Sequence, residues 1–192
     1  MANEYLQRTP TSTGNRKVFT LSGWYKVNLS QWGSNDYTTI FNTNANNQES
    51  SLRIRTGTGL GDNVQFFHYN GGGPAYVFDA RTNLKFRDCG NWVNIIVSVD
   101  TTQSTSTDRI KIYLNGILQT SYEVYSAASQ NYEGNFNSTI THYFGANQGQ
   151  YNPAEVQLSD IFWVDGQALT PDVFGFYKDG NGYISAGSTQ AT

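Results

Sequence analysis

Few residues in this chain have the type and spacing that chemistry demands. Hydrolysis of a glycosidic bond needs two carboxylates, ~5–5.5 Å apart for retention of configuration and ~6.5–9.5 Å apart for inversion. On one strand such a pair must sit at i and i+2 or i+4, where side chains share a face. The nearest approach is Glu155 with Asp160, and its odd spacing sends the two groups to opposite faces. Cys89 with His68 or His142 has the elements of a thiol nucleophile and its base. Cys89 lies in the turn-like run Asp88-Cys89-Gly90-Asn91, and residue type favours an inert thiol and two packed imidazoles. No Cys/His spacing matches a zinc site. The run from Gly57 to Asp62 has the look of a phosphate loop, but no helical pattern follows to supply N-terminal amides. Asp62 and Asn63 carry oxygens that suit Ca²⁺ but lack the acidic EF-hand spacing, so no cofactor is expected.

Aromatic residues remain. Trp32, Tyr37, Tyr69, Tyr76, Tyr125, Tyr132 and Tyr151 lie in or beside Asn-, Gly- and Ser-rich segments, and are expected outside the core. Exposed rings stack on sugar faces or anchor protein interfaces, and composition does not choose between the two. If sugar is bound, Trp32 and Tyr69 are the expected contacts.

The elements that would position these residues follow from composition and periodicity. The chain has 192 residues, enough for one large domain. Only 14% are charged and the net charge is −3, which excludes a nucleic-acid binder of the basic-patch kind. Aromatic residues make up 15%, which excludes a disordered chain. A single cysteine excludes an intramolecular disulfide. The N-terminus lacks the basic and apolar regions of a secretory signal, and no apolar run approaches the ~20 residues of a membrane-spanning helix. Synthesis in a cytoplasm is therefore expected, without membrane insertion.

Period-2 alternation recurs throughout. Phe19, Leu21 and Tyr25 share one face; Val93, Ile95, Val97 and Val99 share another. Leu52 and Ile54 alternate with Ser51, Arg53 and Arg55. Ile110, Ile112 and Leu114 lead into Asn115-Gly116, whose residue types predict a type I′ turn and a returning strand from Ile117 to Glu123. The stretch from Val156 to Val164 is apolar on both faces, which predicts a central strand with Ile161 and Trp163 in the core. Thr170-Pro171-Asp172 predicts one helical turn with Thr170 as its N-cap. About ten strands separated by turn signals predict an all-β, two-sheet antiparallel sandwich with at most one or two short helical turns. No linker-like shift in composition interrupts residues 1–192, so a single domain is expected.

Three segments carry a family resemblance: YLQRTPTSTGNRKVFTLSGWYKV, NWVNIIVSVDTTQSTSTDRIKIYLNG and LSDIFWVDGQALTPDVFG. Together they resemble the laminin-G-like branch of the concanavalin A-like lectin/glucanase jelly rolls, in the version found in virion proteins of tailed bacteriophages. The resemblance runs from about residue 4 to 175 and leaves a tail from 176 to 192. It implies a jelly roll with one concave sheet. The family's glucanases carry an acidic Glu-x-Asp-x-x-Glu strand that is absent here, so no catalytic residue is carried over and no enzyme activity is expected. Its laminin-G members often hold Ca²⁺ at the sandwich rim, but no residue here matches those ligands. The expected role is a capsid decoration (cement) protein, a homotrimer bound to the major capsid protein on the virion surface. Met1, Glu4 and Tyr5 at one end and Tyr177 and Tyr183 at the other are its expected anchors. The alternative is a lectin-like tail-fibre tip that recognises a host-surface glycan.

Overall fold

The computed structural model describes residues 5–27, 37–45, 47–55, 62–71, 76–85, 90–147, 156–178 and 182–185, with side chains to 175. In chain order its strands are β1 (Leu6–Arg8), β2 (Val18–Val27), β3 (Tyr37–Ala45), β4 (Gln48–Arg55) and β5 (Asn63–Asn70). There follow β6 (Tyr76–Lys85), β7 (Val93–Asp100), β8 (Ile110–Leu114), β9 (Ile117–Leu118) and β10 (Tyr122–Ser126). The last are β11 (His142–Phe144), β12 (Val156–Asp165), β13 (Gly175–Lys178) and β14 (Gly182–Ser185). They form a seven-stranded sheet, β1-β11-β3-β4-β5-β6-β10, a five-stranded sheet, β12-β2-β7-β8-β9, and the hairpin β13-β14. Every pairing is antiparallel. Among the described residues helix is confined to two 3₁₀ turns, Ser106–Asp108 and Pro171–Val173. The expected jelly-roll sandwich is what the chain forms.

The two large sheets face each other through their apolar positions. Ile40, Phe41, Leu52, Ile54, Val64, Phe66, Phe78 and Ala80 come from one, and Phe19, Leu21, Tyr25, Val93, Ile95, Val97, Ile110 and Ile112 from the other. One side of this core is closed by the segment between β10 and β11. Its Phe136 reaches Phe19 of one sheet (5.5 Å) and Phe41 and Phe66 of the other (5.8 and 4.9 Å between ring centroids). Backbone carbonyls of this segment are tied down by Arg16, Thr101 and Arg109. Tyr125 and Tyr132, expected outside the core, pack against it, because β10 and this segment turn their aromatics inward.

Asn115-Gly116 closes the β8-β9 hairpin with φ of 48° and 78°, as its residue types require. The returning strand is shorter than expected. Only Ile117–Leu118 pairs with β8; the chain then crosses to the opposite sheet, where β10 pairs with β6.

β12 corrects the expectation of a central strand. It is the edge of the five-stranded sheet, and Phe162 is 46% exposed. A bulge between Ser159 and Phe162, with Asp160 at a φ of 49°, explains its apolar residues on both faces. The bulge leads Leu158, Ile161 and Trp163 to the core, where they are partly rather than fully buried. Ile161 comes to rest over Gly23, where an added Cβ would lie 2.4 Å from the Ile161 Cδ1. The other face of the strand meets the Pro171–Val173 turn: Val164 packs with Ile96, Tyr113 and Phe174, and Phe162 meets Phe174 at 5.9 Å. Thr170 does not cap that turn's backbone; its hydroxyl donates to the Asp172 carboxylate.

Candidate functional site

The face of the seven-stranded sheet turned away from the core carries a network of aromatic, guanidinium, carboxylate and carboxamide groups. Strict alternation along β4 builds its centre. Leu52 and Ile54 enter the core, so Glu49, Ser51, Arg53 and Arg55 take the other face. Ladder registry sets the neighbours: Tyr37 pairs with Arg55, Thr39 with Arg53, Arg53 with Gln65, and Gln65 with Arg81. A bulge on β6 opposite Tyr69 brings Tyr76 onto this face while Phe78 stays inside.

Arg53 is the hub. Its guanidinium carbon lies 4.4 Å from the Tyr37 ring centroid and 4.3 Å from that of Phe67. Its Nε donates to Gln65 Oε1 at 2.8 Å and one terminal nitrogen reaches the Tyr76 hydroxyl at 3.4 Å. Gln65 passes the chain on to Asp79 (2.7 Å), and Arg81 pairs with Asp79 at 2.5 Å. Tyr76 meets Phe67 edge-on at 5.2 Å and Tyr69 at 5.8 Å. Asn42 donates to Glu49 at 3.0 Å, and Asn63 donates to Glu123 at 2.6 Å. Burial pushes the Glu49 carboxyl up, against the opposing pull of Arg53 and the Asn42 hydrogen bond. Burial also lowers the Arg55 pKa, as do Arg81 and Arg53, while Glu123 acts the other way.

Two carboxylates of this face, Glu49 and Asp79, are poorly placed as a pair for glycoside hydrolysis. Glu49 and Asp79 stand on strands separated by β5 and in different cross-strand rows. Strand spacings of ~4.8 Å across and ~3.3 Å along put their backbones roughly 12 Å apart, and Asp79 is already committed to Gln65 and Arg81. Phe67, Gln65 and Asp79 are buried within this network, so what the face presents for recognition is the half-buried Tyr37, Tyr69 and Tyr76 rings and the Arg53 guanidinium.

Of the residues singled out in the sequence, Tyr69, Tyr37 and Tyr76 are brought together on this face, all half-buried. Trp32, Tyr151, Cys89, Glu155, Gly57, Met1 and Glu4 lie outside the described residues. Asp62 is at a φ of 49° next to the buried Asn63, whose amide is taken by Glu123. No cluster of three His, Cys, Asp or Glu residues suited to a metal ion occurs among the described residues. His68 and His142 are both buried, 1% and 6% exposed, and packed among rings. Tyr5 meets Tyr143 edge-on at 6.0 Å within its own chain, and Tyr177 and Tyr183 are cross-strand partners in β13-β14. Arg53, Phe67 and Gln65 were missed as functional candidates. The signal was present in the outward register of Arg53 and Arg55 opposite Leu52 and Ile54.

Two further concavities lie elsewhere. One, about 470 Å³, is lined by the exposed apolar residues Leu84, Trp92, Ile117 and Leu118 at one end of the sandwich. The other, about 560 Å³, lies beneath residues 10–14 and reaches Phe41, His142, Phe144 and Trp163.

A sequence model of the concanavalin A-like lectin/glucanases superfamily matches residues 2–172. A search of curated proteins finds no match. Among solved structures, the binding domain of botulinum neurotoxin serotype D superposes with a TM-score of 0.59 at 15% identity, over 88% of this chain and 38% of that one. A native heptameric SAP-like pentraxin from Limulus polyphemus superposes with a TM-score of 0.52 at 16% identity, over 86% of this chain and 71% of that one. A botulinum neurotoxin DC binding domain, solved in complex with rat synaptotagmin II, gives 0.52 at 16% identity, over 86% of this chain and 39% of its own. The chain thus spans about two fifths of the neurotoxin binding-domain chains. These likenesses are of fold.

Proposed function

The chain belongs to the concanavalin A-like lectin/glucanases superfamily, and from that premise we propose that it is a non-catalytic, lectin-like module that binds glycan on the outer face of its seven-stranded sheet. The observation that carries this reading is the fixing of Arg53 between the Tyr37 and Phe67 rings, with Gln65 and the Tyr69–Tyr76 pair beside it. Sugar binding wants rings and hydrogen-bonding groups held before the ligand arrives, because ordering them afterwards costs affinity. The separated, already-bonded carboxylates support the absence of hydrolysis. Among proteins of this fold, cell entry of botulinum neurotoxin type C is dependent upon interaction with two ganglioside molecules. On a phage particle such a module would serve as the host-recognising tip of a tail fibre. Calorimetric titration against a panel of polysaccharides tests the reading. Binding lost in Tyr76→Ala, with no release of reducing sugar, is expected; binding unchanged in that variant, or steady turnover, would overturn it.

A second reading, capsid decoration, draws on the apolar end of the sandwich. Leu84 (53% exposed), Trp92 (41%), Ile117 (61%) and Leu118 (40%) line one concavity there, a contact surface suited to protein. In this role the protein is a homotrimer on the virion shell, held to the major capsid protein. Light scattering and co-sedimentation with pre-formed capsids decide it: a monomer that ignores capsids ends this reading.

A further inference from the structure

We infer that the glycan bound on this face is acidic, and that Arg55 is the residue that recognises its carboxylate or sulfate group. The inference rests on the proposed glycan-binding function and goes on to the chemical class of the ligand. It starts from what Arg55 lacks. Its side chain is only 13% exposed, and among the described residues its single ionic neighbour is Glu123 at 3.9 Å, beyond hydrogen-bonding distance. A guanidinium presents a planar fork of donors, and a fork this far withdrawn from water normally holds its partners at 2.7–2.9 Å. Glu123 is a weak competitor, because its other oxygen accepts from Asn63 Nδ2 at 2.6 Å.

The neighbours of Arg55 make the same demand. Arg53 stands two residues away on the same face of β4, and Arg81 shares the Arg53–Gln65 row. Both add positive potential at Arg55. Arg53 spends its donors on Gln65 and Tyr76, which are neutral, and the buried Nε of Arg81 has no partner. Asn63, one step further along the face, turns its amide to Glu123 and leaves a buried Oδ1 without a donor. A ligand that brings an anion to the Arg55 fork answers this unpaired charge; a neutral sugar does not. Tyr37, paired with Arg55 across the β3-β4 ladder, lays its ring against the neighbouring Arg53 guanidinium on the same face. The chain's net charge of −3 disfavours nucleic acid, whose binding requires many phosphate contacts.

The test is affinity for three sets of polysaccharides: carboxylated (alginate, polygalacturonate), sulfated (carrageenan) and neutral (laminarin, agarose). At low salt one acidic set is expected to bind about tenfold or more tighter than the neutral set, as a charge-assisted fork would give. Comparison of the two acidic sets separates carboxylate from sulfate. Arg55→Gln is expected to erase the preference, bringing affinity for the acidic set down to that for the neutral set, and Arg55→Lys to restore it only in part. Should Arg55→Gln fail to fold, Glu123→Gln decides: it keeps an acceptor for Asn63, removes the competing charge, and is expected to raise affinity for the acidic set. Equal affinity for acidic and neutral glycans, a preference that survives Arg55→Gln, or no gain in Glu123→Gln would overturn the assignment of Arg55 while glycan binding itself stands. Binding to none of the three sets removes the glycan-binding reading as well.

Discussion

The backbone N–H of Asn137 points at Nε2 of His142, 3.0 Å away. That nitrogen is therefore an acceptor, and the ring is neutral with its proton on Nδ1, which donates to the Ile140 carbonyl at 2.8 Å. Asn137 in turn holds the segment that precedes β2. Its carbonyl accepts from the Gly14 N–H, and its side-chain amide donates to the Asn15 carbonyl and to Asp165. A buried histidine on β11 thus fixes residues that line the adjoining cavity.

Acid should loosen this arrangement before it unfolds the sandwich. Burial, with Arg8 nearby, holds the His142 pKa below its ordinary value against the opposing Ile140 bond. Phe41 and Trp163, which face the ring, carry no charge, and Asp165 is engaged by Asn137. His68 is lowered further, to about 4, by burial and by Arg16. A base whose folded pKa lies below its unfolded value stabilises the fold fully above the unfolded value, near 6.5, and loses that contribution as pH falls through the folded one. Each histidine then costs up to about 1.4 kcal/mol of stability per pH unit within its window. Protonated Nε2 would also oppose the Asn137 N–H. Hydrogen exchange should show residues 9–15 losing protection as pH falls below about 6.5 while β7 keeps it, and His142→Gln should flatten that response. Equal loss in β7, or an unchanged response in the variant, would refute this.

Burial predicts sharply different costs at two apolar positions of the five-stranded sheet. Val97 is fully buried between Leu21 and Ile112 across its two ladders. Val97→Asp places a carboxylate where nothing can pair with it and should prevent folding. Phe162 is half-exposed on an edge strand, and Phe162→Ser should cost less than about 2 kcal/mol, since only part of the ring's burial is lost. Urea denaturation of the two variants checks the contrast.

What the sequence disclosed was local and what it concealed was long-range. Alternation placed Phe19, Leu21, Val93 and Ile95 on inward faces, and together with the turn signals between strands it pointed to the sandwich. Alternation says nothing about sheet order, so β12, apolar on both faces, read as central. A bulge and the Phe174 contact account for the same pattern at an edge. Tyr69 was legible as a ring in a polar setting. Arg53 was not, because an outward arginine on a strand looks like any solvated charge until the register brings Tyr37 and Phe67 to both sides of it.

The β8-β9 turn offers a test of backbone conformation separate from packing. Asn115 adopts a φ of 48°, and its side-chain oxygen accepts from the Asn94 N–H at 2.9 Å. Asn115→Val imposes a β-branched residue on a left-handed conformation and removes that acceptor, which together should cost about 2–3 kcal/mol. Asn115→Gly keeps the conformation and loses only the hydrogen bond, so it should cost about 1 kcal/mol. Thermal melts that rank the two variants the other way would show that conformation does not govern this turn.

Arg53→Lys separates geometry from charge in the binding face. The ammonium keeps the positive charge but has neither a planar surface for the Tyr37 and Phe67 rings nor a fork reaching Gln65 and Tyr76 together. If the face binds through pre-positioned groups, losing that clamp frees Tyr37 and Tyr76 to move, and the ordering cost returns on binding. Glycan affinity should therefore fall about tenfold or more with little change in its salt dependence, since the net charge is the same. Tyr125→Ala supplies the opposite control. That ring packs on the core and its hydroxyl bonds to the Ser106 and Ile110 carbonyls, so its removal should lower the melting temperature and leave the affinity of the folded protein intact. An Arg53→Lys protein that binds as tightly as the parent would place recognition elsewhere on the molecule.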